Sequence, residues 1–326
     1  MAMERVPYLV GGGFEHSAEI MRVMLAASTS GAEGIMSPGN LKVTPLPVPG
    51  TSVVVAPGNA LIRNSYGGGD GQTYATRAPQ QTEVPIVATG SAGGRTDLIV
   101  ARIDDPTYGG DSFDPVTFEA AKFEVIRGVP SGTKSAKELG LGYPAIELAR
   151  VTLPASTGTV TSGMIKDLRS MALPRKERHL FTHNLAVEET DTISGPVGDE
   201  MGEAWPNVFW NFEIPDWAER VRVRAILGGV RVEEKSPNNF GQLFVRFGTV
   251  PNGFSTQYGR WDNSMAGGIT RQTFMVADDR TVPNSFKGTS SRAYIRATRT
   301  NNNLNTPRLD TFSSISLDLE FYETAV

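Results

Sequence analysis

The chain has 326 residues, with 31 Lys and Arg against 35 Asp and Glu, a formal net charge of −4. That balance speaks against nucleic acid or a polybasic membrane surface as a partner. The lack of cysteine excludes disulfides, thiolate catalysis and Cys-based zinc sites and fits assembly in a reducing compartment.

A chain of this length suits two domains. Its 35 glycines and 21 prolines suit many short strands joined by turns. The opening MAMERVPYLVGGGFEH carries early charge and no long apolar run, so it does not read as a signal peptide. No run of eighteen apolar residues occurs, so no membrane-spanning helix is expected.

One helix stands out over 17–28. Ser17 can cap it, Glu19 suits the positive end of its dipole, and Ile20, Val23, Met24 and Ala27 share one face. Met21 and Leu25 extend the apolar surface beyond one stripe, which allows packing on the same domain or on a neighbouring chain. Ser30-Gly31 ends the helix, and the prolines of MSPGNLKVTPLPVPG forbid another.

The period then becomes two. Val53 and Val55 alternate in TSVVVAPGNALIRN, RTDLIVARIDD reads as a buried strand, Phe123 and Val125 share a face, and so do Ala149, Val151 and Leu153. Short helices are expected at SAKELG and at TSGMIKDLRSMA, where Met164, Ile165, Leu168 and Met171 fall at helical spacing. The charged run PRKERHLFTHNLAVEET lacks a strong strand pattern and reads as a connector over 176–195. It separates a β-rich domain, 1–175, from a C-terminal domain, 196–326.

That last part alternates most cleanly. Val221, Val223, Ala225 and Leu227 point one way, with Arg222 and Arg224 opposite. Leu243, Val245 and Phe247 align, as do Ala293, Ile295 and Ala297; Ile315, Leu317, Leu319 and Phe321 oppose Ser316, Asp318 and Glu320. Such half-buried strands at turn-separated spacing define a mainly β protein whose C-terminal domain is an antiparallel β-sandwich, jelly-roll-like.

Several motifs invite chemistry. Gly67-Gly68-Gly69-Asp70-Gly71 resembles a phosphate loop, but no Lys-Thr follows and TYATR prefers strand, so a hairpin turn is expected. Asp104, Asp105, Asp111 and Asp114 form an oxygen-rich loop without EF-hand spacing, read as a solvated loop with calcium as the alternative. His179 and His183, at i and i+4, would suit zinc on a helix, but the HExxH glutamate is missing and His16 is remote, so no metal is expected. No G-x-S-x-G elbow occurs, and no carboxylate pair stands out for glycoside hydrolysis. Val208, Trp210, Phe212 and Ile214 read as ordinary core, whereas Tyr258, Arg260, Trp261 and Asp262 sit in a polar stretch. An exposed ring beside paired polar groups can stack on a pyranose, so these four are the candidate glycan-binding residues, with Trp261 central. The alternative is a loop aromatic packed at an edge or subunit contact.

The run HSAEIMRVMLAASTSGAEGIMSPGNLKVTPLPVPGTSVVVAPGNALIRN, with GGRTDLIVARIDDP, FEVIRGVPSGT and YPAIELARVTLPASTGTVTSGMIKDLR, resembles minor tail proteins of siphophages infecting actinobacteria. The resemblance covers most of residues 14–175. The order of elements also resembles the N-terminal domain of baseplate upper proteins of some lactic-acid-bacteria phages. TFMVADDRTVP, before the last strands, resembles the variable sandwich domains attached to such proteins. The resemblance implies a virion structural protein of the tail tip or baseplate, a homotrimer contacting other tail-tip proteins. It also implies assembly in the bacterial cytoplasm, an anchoring first domain and a second domain facing the host envelope. No enzymatic role, no cofactor and no catalytic residue are implied. A dedicated receptor-binding protein for a cell-wall glycan and a wall-degrading enzyme are the alternatives.

Overall fold

The computed structural model describes residues 16–109, 114, 116–187, 189–193, 201–233, 240–249, 252–262, 268–300 and 307–325. The chain forms two compact units. One runs to Pro174 and takes in the residues from Thr324 on; the other is Arg175–Glu323. The chain therefore leaves the first unit once and returns to it at its end.

The first unit joins three small antiparallel sheets. Gly58–Arg63 lies between Gly34–Ile35 and Thr73–Ala78, and Ser52–Val55 between Val43–Pro45 and Thr82–Pro85. In the third sheet Arg95–Ile103 and Ala145–Leu153 are central, flanked by Ala121–Ile126 and Ile165–Asp167. Their buried faces meet in one apolar core that includes Ile35, Val53, Val55, Ile62, Ile99 and Val151.

The helix forms over Ala18–Ser28, and the Ser17 hydroxyl accepts from the Ile20 N–H at 3.2 Å. Its orientation inverts the expectation. Ala26 is buried and Arg22 points inward, with only 12% of its side chain exposed. Met21, Val23 and Met24 are 45%, 42% and 40% exposed. Arg22 enters a polar socket. Its Nε donates to Gln72 Oε1 at 2.7 Å, its Nη1 lies 3.2 Å from Asp105 Oδ2, and its guanidinium sits 5.1 Å from the Tyr74 ring centroid. Gln72 in turn donates to the Tyr108 hydroxyl at 2.8 Å. A buried arginine needs paired acceptors, and residues just outside the strands Thr73–Ala78 and Arg95–Ile103 supply them.

The glycine loop closes the hairpin between Gly58–Arg63 and Thr73–Ala78. Gly68 and Gly71 have φ of 82° and 76°, which suits glycine. A Cβ on Gly69 would stand 2.2 Å from Asn64 Nδ2, so the turn packs on its own asparagine.

Two local expectations change. SAKELG is a single 3₁₀ turn, Ala136–Leu139, capped by Ser135 and ended by Gly140 at φ 57°. TSGMIKDLRSMA is not a helix. A short 3₁₀ turn, Ser162–Met164, leads into the strand Ile165–Asp167, which pairs with Ala149–Val151. Thr161 makes no side-chain cap and Gly163 weakens helix, so pairing on a sheet edge satisfies the backbone instead. Arg169, its side chain fully buried, locks this segment. It donates to both Asp167 oxygens and to the carbonyls of Pro38, Asn40 and Ala325.

The second unit has eight principal strands: Lys176–His183, Trp210–Ile214, Arg220–Glu233, Phe240–Gly248, Gly259–Asp262, Ile269–Thr281, Thr289–Arg299 and Ser314–Tyr322. In one sheet the order is first, eighth, third, sixth; in the other it is second, seventh, fourth, fifth. First with eighth, second with seventh, third with sixth and fourth with fifth are all antiparallel neighbours, which is the winding of a jelly roll. The alternating residues expected to face inward do so: Val221, Val223, Ala225, Leu227, Val245, Phe247, Ile295, Leu317 and Phe321 are all buried in one core.

The expected connector over 176–195 is corrected here. Lys176–His183 is the first strand, paired residue for residue with Ser314–Tyr322. Its inward residues are Glu177, His179, Phe181 and His183, only one of them plainly apolar, so its period-two pattern is hidden in the sequence. Arg175 clasps the far end of the unit: its Nη2 donates to Glu323 Oε1 at 2.7 Å, and the Glu323 N–H donates to the Arg175 carbonyl.

Candidate functional site

The first sheet of the second unit presents one face to the core and one to solvent. On the solvent face the register forms rows. Lys176, Tyr322, Arg220 and Thr281 stand side by side; next come Arg178, Glu320, Arg222 and Asp279. Leu180, Asp318, Arg224 and Ala277 follow, then Thr182, Ser316, Ile226 and Met275.

The first rows form a charged lattice that is largely neutralised within itself. Arg178 donates to both Asp318 oxygens at 2.7 and 2.8 Å, Arg222 to Glu320 at 3.2 Å and Arg220 to Asp279 at 2.9 Å. Burial and the bond to Asp279 push the Tyr322 phenol up. Exposed pairs of this kind contribute little stability. They fix the side chains and keep an exposed sheet face soluble.

The other end of the face has a different character. Leu180, Ile269, Met275 and Phe312 are 62%, 61%, 58% and 75% exposed. Phe312 sits on the turn Asp310–Ser313, which several hydrogen bonds hold in place. The Ser313 N–H donates to the Asp310 carbonyl at 2.8 Å, and the Phe312 N–H to Asp310 Oδ1 at 3.0 Å. The Ser313 hydroxyl accepts from the Asp310 N–H at 3.1 Å and donates to the Gly229 carbonyl at 3.2 Å. Arg271 grips both Asp310 oxygens at 2.9 Å and the Gly229 carbonyl at 2.6 Å, its guanidinium 5.3 Å from the Phe312 ring centroid. The bond from Arg271 holds the Asp310 carboxyl below its ordinary value. An aspartate whose side chain bonds the N–H two residues on builds a tight turn, so the ring is held rigidly while it stays in water.

The residues expected to bind glycan fall elsewhere. Trp261 is 3% exposed and lies in the core, stacked on Phe274 at 6.1 Å between centroids. Gly241 makes room for it, since a Cβ there would stand 2.6 Å from the indole Cζ2. A buried ring has no face for a sugar, so Trp261 is a packing residue. Arg260 and Asp262 flank it on the exposed side of the same strand. Tyr258 is 49% exposed and packs edge-on against Phe244. The structure does not assemble these four into one site. It places an exposed ring beside a paired Arg and Asp at Phe312, Arg271 and Asp310 instead. The signal in the sequence was the turn run LDTFSS, whose aromatic looks like any other until the turn is seen at the surface.

The metal candidates separate. His179 and His183 lie on a strand, where four residues span about 13 Å, too far to share an ion. His179 packs among Phe181, Phe212 and Phe321 as a core ring, and His16 lies in the first unit just before the helix. Asp104 is paired with Arg102 and Lys122. Burial alone would raise Asp105; bonds from Thr107 and Tyr74 and the charge of Arg22 outweigh it and hold the carboxyl below its ordinary value. Asp114 caps its own turn through the Val116 N–H and the Thr117 hydroxyl, and Asp111 lies outside the described residues. Among the described residues no group of three His, Asp or Glu is placed to hold a metal, and no helix is long and apolar enough to cross a membrane.

The fold and this face define a mainly β protein whose second unit is a jelly roll with a rigid, solvent-facing sheet. No family model matches the chain, and no curated protein matches it. Among solved structures it is similar to the infectious bursal disease virus VP2 subviral particle, at 10% identity and TM-score 0.28 over 90% of this chain and 68% of that one. It is also similar to infectious bursal disease virus Gx strain, at 9% identity and TM-score 0.27 over 91% and 68%. Likenesses at this level define neither fold nor function.

Proposed function

We propose that this chain is a virion structural protein of a phage tail tip or baseplate. The reading makes it non-enzymatic, assembled in the bacterial cytoplasm as a homotrimer and carried on the tail. The observation that carries it is where the tail-protein-like sequence falls. Its quoted stretches build the helix, the first strand of the hairpin and the strands of the third sheet, so the resemblance follows much of one folding unit rather than scattered segments. A jelly roll behind that unit agrees, since such sandwiches serve capsids and lectins alike; this second support is analogy of fold. Asp105, Asp279, Asp318 and Glu320 are each held by a cation, which suits them poorly to proton transfer.

The reading is tested by immunogold labelling of intact virions with antibodies to this chain. Label at the tail tip is expected; virions without label, and without its peptides in mass spectrometry, overturn it. Light scattering tests the trimer against a chain mass of 35.1 kDa. Incubation with purified wall polymer is expected to release no reducing ends.

A dedicated receptor-binding role is the second reading, favoured by the exposed aromatic on a rigid turn of the second unit. Adsorption of residues 175–323 to host cells tests it, and failure to bind removes it.

A further inference from the structure

We infer that the free edge of Ala121–Ile126, in the first unit, docks an extended peptide of a partner protein, which joins the third sheet as one more strand; the site stands whether or not the chain belongs to a virion. The main chain of this strand points to that partner. Ala121–Ile126 pairs on one side with Arg95–Ile103, and no strand among the described residues pairs with its other side. The Asp104 N–H donates to the Ala120 carbonyl at 2.8 Å, which sets the phase of the ladder. Antiparallel pairs alternate between bonded and non-bonded, so Lys122 and Glu124 spend their backbone groups on Arg102 and Val100. Ala121, Phe123 and Val125 therefore turn their N–H and carbonyl groups outward, about 7 Å apart along one line. Among the described residues these groups meet no backbone partner.

The strand is anchored on both faces while its edge is open. Phe123 and Val125 pack on the core of the unit. On the opposite face Lys122 is paired with Asp104, Glu124 is held by Arg102 and the Tyr143 hydroxyl, and Ile126 packs beside Leu98 and Val129. An edge fixed before binding loses little freedom when another strand pairs with it. Edges are ordinarily blunted by proline, a bulge or a free charge. This one has no proline, its register is unbroken, and its lysine is already neutralised. The nearby edge of Thr82–Pro85 is blunted in the usual way. The Ile86 N–H donates to the Thr51 carbonyl at 2.7 Å, so Glu83 and Pro85 face outward there, and proline has no N–H to offer.

A cleft of about 450 Å³ lies between Thr82–Pro85 and the first half of the open strand, with Leu41, Val84, Ala101 and Phe123 as its apolar lining. An added strand sends every second side chain to the core side of the sheet, and the cleft gives an apolar one a place to enter. Charge selects nothing here. Arg102 and Lys122 are spent on Glu124 and Asp104, and Arg77, Glu83 and Glu119 leave both signs at the rim. A compact sugar or anion spans too little of the outward row to pair it, whereas an extended main chain matches it group for group.

The test selects short random peptides displayed on filamentous phage against the intact chain and synthesises the best. Peptides with apolar residues at alternate positions are expected. The Phe123 and Val125 amides should exchange quickly in the free chain and slow when the peptide binds. N-methylation of the peptide at one set of alternate residues should weaken binding about tenfold or more, and at the other set only slightly. A121P removes an outward N–H and no ladder bond, so it should weaken binding several-fold with an unchanged melting midpoint. The methylated peptides leave the protein untouched and decide the matter even if that variant does not fold. No selected peptide overturns the inference, as does protection confined to other amides or equal loss at every methylated position. Protection of the same amides in the chain alone, with light scattering above the 35.1 kDa of one chain, gives the edge to a second copy and also overturns it. Tail-tip label without peptide binding sinks this inference and leaves the virion role standing. Peptide binding by a chain absent from virions does the reverse.

Discussion

The two units hold themselves together by different means. In the second, two sheets face each other across a continuous layer of aliphatic and aromatic side chains, and its buried carboxylates Asp310 and Glu323 sit at a turn and at a chain end. In the first, three small sheets cannot share so deep a layer, and polar locks join them. Arg169 ties Pro38, Asn40, Asp167 and Ala325, while Arg22 ties the helix to Gln72 and Asp105. The difference teaches that apolar area suffices where two broad faces oppose. Smaller sheets need directional bonds, and those make stability depend on single residues.

R169A should be the most damaging change. It strands an aspartate and three carbonyls in the interior, at a cost of about 3–5 kcal/mol. Hydrogen exchange should rise over 34–62 and stay unchanged over 221–227; an equal rise in both breaks the contrast. W261A should cost about 3–5 kcal/mol by opening a cavity, with the loss confined to the second unit. A loss below about 1 kcal/mol would mean the indole is not the packing residue described.

R22A comes next, at about 1–3 kcal/mol, because it leaves Asp105 short of a cation. Its signature is faster exchange over Ala18–Ser28. If that helix stays protected, its apolar face and not the socket holds it.

The pH response is smaller. Bonds from Arg175 and Arg271 depress Glu323 and Asp310 in the folded state. Their contribution is present above the ordinary carboxylate values and is lost as pH falls through the folded ones. Melts from pH 6 to pH 3 should show the second unit weakening, and R271Q should flatten the slope. Asp191 has the opposite sign: burial and the nearby Glu203 and Glu189 raise it, so its penalty appears as pH rises through the folded value. D191N should therefore raise the midpoint slightly at neutral pH. Smallest of all, F312A should shift stability by no more than about 0.5 kcal/mol.

Much of this was legible in the sequence. Ser17 marked the helix start, Gly67–Gly71 a hairpin, and the alternation at 221–227 and 315–321 the inward faces of two paired strands. The first strand of the jelly roll was not legible, because its inward face uses His179 where an aliphatic would have shown the period. The candidate site was misplaced for a related reason. Aromatic and polar residues close in sequence promised a site at 258–262, but strand pairing beside Gly241 drew Trp261 inward.

Local sequence determined backbone conformation where caps, turn glycines and period-two runs act over a few residues, whereas Ile165–Asp167 and Lys176–His183 became strands through their pairing partners. Only the tertiary structure decided which face of the helix meets the core and which aromatics stay outside it. The helix turns Arg22 inward because Gln72 and Asp105, far along the chain, offer it acceptors. Phe312 stays outside because Asp310, Arg271 and Gly229 lock its turn from three separate stretches. A pattern read along the chain shows that two faces differ, whereas their burial depends on what the rest of the fold brings against them.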